Sequence, residues 1–259
     1  MTKQPSKPNR IKFPLTHAPI VEALLDLDCD LPPTLDFEAL RERARQRLAE
    51  RYPICRTKYS RQVEFPVAPE TPNTLRVGDR IEAYGFWQQD EQQLIQLRQQ
   101  GFSFNRMKPY TTLDDYLAEI ERTWGLFVEL AEPVMLRTVR LRYLNRILLP
   151  LKSGRVKLDD YLHIGPRLPA GKLALSGFLT RFSLLDPDTS FSAQLVLASE
   201  QWTEDELPLI LDLAVTAAVS LPVDAATWST IRPTLDSLRV FKNDLFYRSL
   251  TERCLNLFK

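Results

Sequence analysis

Two segments of this chain alternate with a period of two, and in both the alternation is between apolar and charged side chains. In PIVEALLDLDCD, residues 19 to 30, Val21, Ala23, Leu25, Leu27 and Cys29 fall on one side, and Glu22, Asp26, Asp28 and Asp30 on the other. In MLRTVRLRYLNRILLP, residues 135 to 150, Val139, Leu141, Tyr143 and Ile147 share one side, and Arg140, Arg142 and Arg146 the other. Successive side chains of a strand point to opposite faces, so each segment specifies a strand with one apolar and one polar face. Strands of a doubly wound parallel sheet are buried on both faces and read as continuous apolar runs. The pattern therefore demands an antiparallel sheet packed on one side. It also poses a pairing question, because one strand offers carboxylates and the other guanidinium groups.

The remaining segments supply the helices and further strands. DFEALRERARQRLAERY keeps Phe37, Leu40, Ala44, Leu48 and Tyr52 at helical spacing, with Asp36 as N-cap and Pro53 as stop. CRTKYSRQVEFPV reads as a weaker strand, followed by the proline-bearing loop APETPNTLRVGD. RIEAYGFWQQD and QQLIQLRQQGFSFNRM flank Asp90-Glu91 as the two arms of a hairpin. A one-residue bulge at Gly101 would bring Phe102 and Phe104 onto the face of Ile95 and Leu97. TLDDYLAEIERTWGLFVELAEP is a helix with Thr112 at its cap, and its stripe runs from Leu113 through Ile120 and Trp124 to Phe127. In the second half, VKLDDYLHI reads as a short helix. KLALSGFLTRFSLLD and SFSAQLVLASE read as a hairpin around DPDTS, and LPLILDLAVTAAV as a strand. A long amphipathic helix closes the chain, with a kink or break expected at Pro233.

This order predicts an α+β fold. Two βαβββα-like halves, about 11–132 and 133–259, would share one mainly antiparallel sheet of about eight strands with long helices packed on one face. Residues 11–259 would form a single domain, preceded by a disordered tail over 1–10. No GxGxxG, GxxxxGK[ST] or GxSxG occurs, and the chain has only 8 glycines, which leaves little room for a phosphate-cradling loop. The formal net charge is +1, which excludes coating of nucleic acid or membrane by bulk charge, although 24 Arg against 10 Lys leave room for a local anion site. Cys29, Cys55 and Cys254 form no CxxC pair and suit reduced thiols in a cytoplasm. The longest apolar segment, LPLILDLAVTAAVSLPV, is interrupted by Asp212 and is too short for a membrane span of roughly 20 residues.

Four segments, PLTHAPIVEALLDLD, GFSFNRMKPYT, VRLRYLNRI and LRVFKNDLFYRSLTERCLNLF, stand in this order across nearly the whole chain. Together the chain resembles a family of uncharacterised bacterial proteins of about this length, sporadically distributed among genomes. The resemblance implies a single unit and a link to mobile or defence-related loci. It implies no activity and no catalytic residues.

Candidate chemistry is sparse. His17 and His163 have no second His or Cys at ligand spacing, and the carboxylates of residues 22 to 30 lack a calcium-type loop, so neither a metal nor a cofactor is expected. FNRMKP and LNRILLP both end strands with Asn-Arg. Asn105, Arg106, Lys108, Tyr110, Tyr143, Asn145 and Arg146 could therefore gather at one edge of the sheet, with donors suited to phosphate or carboxylate. Arg43, Arg47 and Arg51 recur every four residues, and beside Glu38, Glu42 and Glu50 they read as a solvated face with intrahelical pairs. Arg140 and Arg142 are expected to pair with Glu22 and Asp26, leaving Arg146 for a ligand. The leading reading is a non-catalytic binding protein that recognises a protein or nucleic-acid partner. The alternative is a metal-independent RNA-processing or hydrolytic enzyme using an Arg, His and Tyr cluster, which would need His17 or His163 close to the Asn-Arg residues.

Overall fold

The structure is a computed structural model, and it describes residues 15–64, 76–167 and 175–259. The expected tail over 1–10 and most of the proline-bearing loop lie outside the described residues. The chain runs β1 (Ile20–Asp30), α1 (Phe37–Leu48), β2 (Ile54–Glu64), β3 (Arg76–Trp87), β4 (Gln93–Arg98), β5 (Gly101–Met107), α2 (Leu117–Ala131), β6 (Met135–Pro150), β7 (Leu179–Leu185), β8 (Ser192–Ser199), β9 (Glu206–Pro222) and α3 (Thr227–Ser249). All nine strands belong to one antiparallel sheet in the order β2-β3-β4-β5-β1-β6-β9-β8-β7. The α+β class expected from the alternation is the class found.

The two segments that set the pattern are neighbours at the centre of the sheet. β1 pairs with β6 so that Leu25 faces Leu141, Asp26 faces Arg140 and Leu24 faces Arg142. Ala23, Leu25, Leu27 and Cys29 of β1 are buried, as are Val139, Leu141, Tyr143 and Ile147 of β6. Burial raises the thiols of Cys29 and Cys254 to about 12, so both behave as small apolar side chains. The helices lie on this apolar face. α2 brings Ile120, Trp124 and Phe127 against the first half, and Phe102 meets Trp124 edge-on with ring centroids 5.9 Å apart. α3 packs on β6 and β9 through Ile231, Leu235 and Leu238.

The local rules hold at most element ends. Asp36 caps α1 by accepting from the backbone N–H groups of Glu38 and Ala39, both at 3.0 Å. α2 stops where Glu132 enters the left-handed region at φ 46°, just before Pro133. Thr112, expected as a cap, makes no capping hydrogen bond, because a 3₁₀ turn (Leu113–Tyr116) precedes α2. VKLDDYLHI contains only a 3₁₀ turn over Leu158–Asp160. α3 is continuous through Pro233 rather than broken there, while Trp228, Ile231, Leu235 and Leu238 bury one stripe on both sides of the proline. Packing of that stripe decides the outcome over local propensity.

Gly101 is the clearest correction. It is not a bulge inside one long arm. Arg98 faces Gly101 across a two-residue turn, so β4 and β5 form a hairpin of their own. Ile95 then faces Phe104 and Leu97 faces Phe102, which puts all four on the buried face as expected, but through a turn. Gly101 has φ +133°, and a Cβ there would lie 2.1 Å from the Leu27 carbonyl oxygen. Only glycine fits this close approach of β5 to β1. Among the described residues, no helix is long and apolar enough to cross a membrane.

Candidate ligand-binding site

The polar face of the sheet carries a dense set of charges, most of them internally matched. The Arg142 guanidinium donates two hydrogen bonds to Asp212 of β9, from Nε at 2.8 Å and from an Nη at 2.6 Å. These bonds hold the Arg142 guanidinium above its ordinary range despite partial burial. Arg146 pairs with Glu200 at 2.6 Å. Glu22 accepts from Asn105 at 2.7 Å, and Asp26 accepts from Ser103. Asp28 accepts from Arg98 and Thr138, each at 2.7 Å, and Asp30 pairs with Arg137.

The expected bridge from Glu22 or Asp26 to Arg140 or Arg142 is not formed within 4 Å. The strands are adjacent as required, but Glu22 and Asp26 each have a closer donor on β5, and Arg142 has a two-point acceptor on β9. Arg140 stands opposite Asp26 without a hydrogen bond, and its Nε is shielded from solvent with no acceptor. Arg146 is engaged by Glu200, so it is not held open for a ligand. The arginines of α1 also depart from expectation. Arg41 pairs within its own helix, but Arg47 and Arg51 reach across to Glu129 and Glu119 of α2, and Arg43 donates to the Leu130 carbonyl. They clamp two helices together.

The Asn-Arg residues do not gather at one edge. β5 and β6 flank the central β1, and the two pairs occupy opposite faces in opposite order. Asn105 and Arg146 lie on the open face, while Arg106 and Asn145 lie on the helix-covered face. Arg106 donates to Gln92 at 3.0 Å and sits 5.2 Å over the Tyr116 ring. Lys108 is exposed beyond the end of β5.

Three of the candidates, Tyr110, Tyr143 and Asn145, do meet. They line a cavity of about 190 Å³ between the sheet and α3. β6 places Tyr143 and Asn145 on the covered face, two residues apart. The segment after β5 brings Tyr110, whose hydroxyl lies 3.1 Å from that of Tyr143. Burial pushes both phenols up, so both remain neutral hydroxyls. Asn145 is buried and donates to the Leu211 carbonyl at 3.0 Å. Leu15, Ala18 and Pro19 form a further wall.

α3 supplies the charge. Arg239 donates to both oxygens of Asp114, at 2.9 and 2.8 Å. Lys242 lies one turn further on, with its ammonium 3.9 Å from the centre of the Tyr143 ring. Among the described residues it has no carboxylate partner and no hydrogen bond. Burial, and then the nearby Arg239 charge, pull its amine down to about 7.

Lys242 was absent from the residues singled out by sequence, yet a signal exists. Ile231, Leu235, Leu238, Phe246 and Ser249 form the buried stripe of α3, and Lys242 occupies the stripe position between Leu238 and Phe246. A lysine where the period requires an apolar residue marks a site. The segments PLTHAPIVEALLDLD, GFSFNRMKPYT, VRLRYLNRI and LRVFKNDLFYRSLTERCLNLF each contribute residues to the cavity wall.

The histidines do not complete a catalytic cluster. His17 is exposed, its backbone N–H bonded to the Phe258 carbonyl, and His163 is exposed, its backbone N–H bonded to the Ser249 carbonyl. Neither imidazole hydrogen-bonds to the candidate residues. Among the described residues no three His, Cys, Asp or Glu side chains converge as a metal site. A scan of protein-family models, a search of curated proteins and a search of solved structures find no match to this chain.

Proposed function

We propose that this chain is a non-catalytic binding protein and that its ligand occupies the cavity between the sheet and α3. One observation carries the reading: a cavity of mixed polar and apolar lining that holds a tyrosine pair and a lysine with no counter-ion among the described residues. Cavities of this kind, mostly preformed and bearing a few convergent polar groups, are where small ligands bind. The binding reading is preferred to the enzyme alternative because, among the described residues, neither a histidine nor a carboxylate lines the cavity beside the tyrosines and Lys242.

The two halves join along β1 and β6 but are not two βαβββα units, because the first runs β1-α1-β2-β3-β4-β5-α2 and the second β6-β7-β8-β9-α3, with only a 3₁₀ turn where a helix was expected. In each half the first strand pairs with the last, β1 with β5 and β6 with β9. The cavity then lies where the halves meet. Three free thiols suit a reducing compartment such as the cytoplasm.

A protein partner is the second reading, and the β7 edge favours it over nucleic acid. β7 ends the sheet with Leu179, Leu184 and Leu185 exposed and Arg181 as its one charge, which suits addition of an extended segment.

The cavity reading is tested by thermal denaturation of the full chain with a panel of small neutral, anionic and cationic compounds. Stabilisation of the wild type by some compounds, lost in a cavity-filling Thr112→Trp variant that folds, supports it. A panel without effect, or stabilisation that persists in that variant, overturns it.

A further inference from the structure

We infer that the cavity receives the carboxylate of a small organic acid, with the Lys242 ammonium as its counter-charge. This rests on the ligand-binding reading above and adds the chemical class of the ligand. The argument begins with local charge. Arg239 and Lys242 both line the cavity, and the carboxylate beside them, Asp114, has both oxygens taken by Arg239. Among the described residues the surplus is one positive charge, carried by Lys242. A partly desolvated charge without a partner is unfavourable, and a bound anion removes that penalty. A monoanion matches the surplus. A dianionic phosphate would need the second cation, which is committed to Asp114.

The donors suit a carboxylate as well. The two tyrosine hydroxyls share one hydrogen bond, so only one of their protons is used between them, and the other is free to donate. The Asn243 side chain lines the cavity and makes no hydrogen bond among the described residues. With the lysine ammonium, these groups can serve the lone pairs of one carboxylate. Size and polarity set the rest of the molecule. Ile20, Leu113 and Phe246 give the cavity an apolar side. An apolar protein cavity of about 150 Å³ accommodates benzene, and this one measures about 190 Å³. One aromatic ring, or an aliphatic chain of about six carbons, fits behind the carboxylate.

Proton linkage follows from the same geometry. The free amine titrates near 7, and an anion in contact with it favours the ammonium form. Affinity should therefore fall as pH rises above about 7, by up to about tenfold per unit until the amine of the complex itself titrates. The other groups facing Lys242 do not blur this window. Tyr110, Tyr143 and Tyr247 are all pushed up by burial, away from this window.

The test is isothermal titration calorimetry on the full chain with benzoate, hexanoate, neutral benzyl alcohol, benzylamine and inorganic phosphate, near pH 6.5 and pH 8.5. Benzoate or hexanoate should bind at least about tenfold tighter than benzyl alcohol at the lower pH, as expected for one charge-assisted contact. That advantage should shrink at the higher pH and vanish in Lys242→Met. Because the pH comparison uses the wild type, the inference stays testable if Lys242→Met fails to fold. Equal or tighter binding of benzyl alcohol or benzylamine overturns the anion inference and leaves the cavity reading standing. So does a carboxylate affinity that ignores pH. Phosphate binding in preference to both acids overturns the carboxylate class. No binding by any organic probe removes the cavity reading and this inference together.

Discussion

The two faces of the central strands treat charge in opposite ways. On the open face, Arg142 and Asp212 meet through two hydrogen bonds, and Glu22, Asp28, Asp30 and Arg146 each have a partner. On the covered face, at the end of the apolar stripe of α3, Lys242 has only the face of Tyr143. Water would have solvated the open-face charges anyway, yet most of those are matched, with Arg140 the exception. The lesson concerns function: matched charges at a surface hold the sheet together, and an unmatched charge near the core costs stability that a ligand can restore. Sequence pattern alone directs attention to the open face, because the arginines and carboxylates of residues 19–30 and 135–150 are more conspicuous than one lysine.

Gly101→Ala should break the comparison altogether. The added Cβ meets the Leu27 carbonyl oxygen at 2.1 Å, and the φ of +133° is strained for any side chain. Displacing β5 from β1 disturbs Phe102 and Phe104 on one face and Ser103 and Asn105 on the other. A loss of about 3 kcal/mol or more is expected from clash plus strain. A denaturant melt reads it, and a near-normal midpoint would show that the hairpin turn is not fixed by this contact.

Asp212→Ala should be the next largest and should affect the open face alone. It leaves the Arg142 guanidinium half-buried without its two-point acceptor. Hydrogen bonds to charged groups contribute about 1.5–3 kcal/mol, and exposure of Arg142 reduces that to about 1–2 kcal/mol here. For a chain of this size each kcal/mol moves the melting midpoint by about 2–4 °C. Binding of a cavity ligand should be unchanged, since Asp212 lies on the other side of the sheet. Loss of binding in step with loss of stability would join the two faces into one site.

Much of this was legible in the residues and some was not. The alternation in residues 19–30 and 135–150 carries the antiparallel class and the buried face, because period two admits one arrangement with one packed side. The adjacency of β1 and β6 is instead suggested by acidic charges on one and basic charges on the other. The partner of Arg142 was not legible. Asp212 sits inside LILDLAV, an apolar strand, and its choice depends on β9 lying on the far side of β6, which no local pattern encodes. The split of the Asn-Arg pairs was hidden for a related reason. Asn105 follows Phe104 and Asn145 follows Leu144 in matching words, yet Phe104 faces the core and Leu144 does not, so the same word points opposite ways. Lys242 was legible in principle, from the α3 period, but its lack of a counter-ion was not, because that required Asp114 to be placed on Arg239.

Lys242→Met should sharpen the contrast through pH. The amine titrates near 7 in the folded chain against 10.5 when exposed, so between these values the unfolded chain binds more protons. Stability of the wild type should then rise with pH across that window relative to the variant, and the variant should be the more stable of the two below about pH 7. Chemical denaturation at pH 6.5 and 9 measures this difference. Parallel stabilities at both pH values would show that the ammonium is well solvated in the folded chain, and the contrast between faces would weaken.

Arg140→Ala should have the smallest effect. If adjacency on the sheet were enough to form a bridge, Arg140 opposite Asp26 would contribute about 0.2–1 kcal/mol as a cross-strand pair. Asp26 instead accepts from Ser103, and the shielded Arg140 Nε has no acceptor. Removing the side chain loses the packing of its aliphatic stem and relieves one unsatisfied N–H, and these oppose each other. The net change should stay within about 0.5 kcal/mol. A double-mutant cycle gives the sharper reading. Arg140→Ala with Asp26→Asn should show coupling below about 0.3 kcal/mol, whereas Arg142→Ala with Asp212→Asn should show about 1 kcal/mol or more. Comparable coupling in the two cycles would mean that Asp26 shares its charge with Arg140 in solution. Arg140 would then join the matched set on the open face, and Lys242 would remain the cavity-lining cation without a carboxylate partner among the described residues.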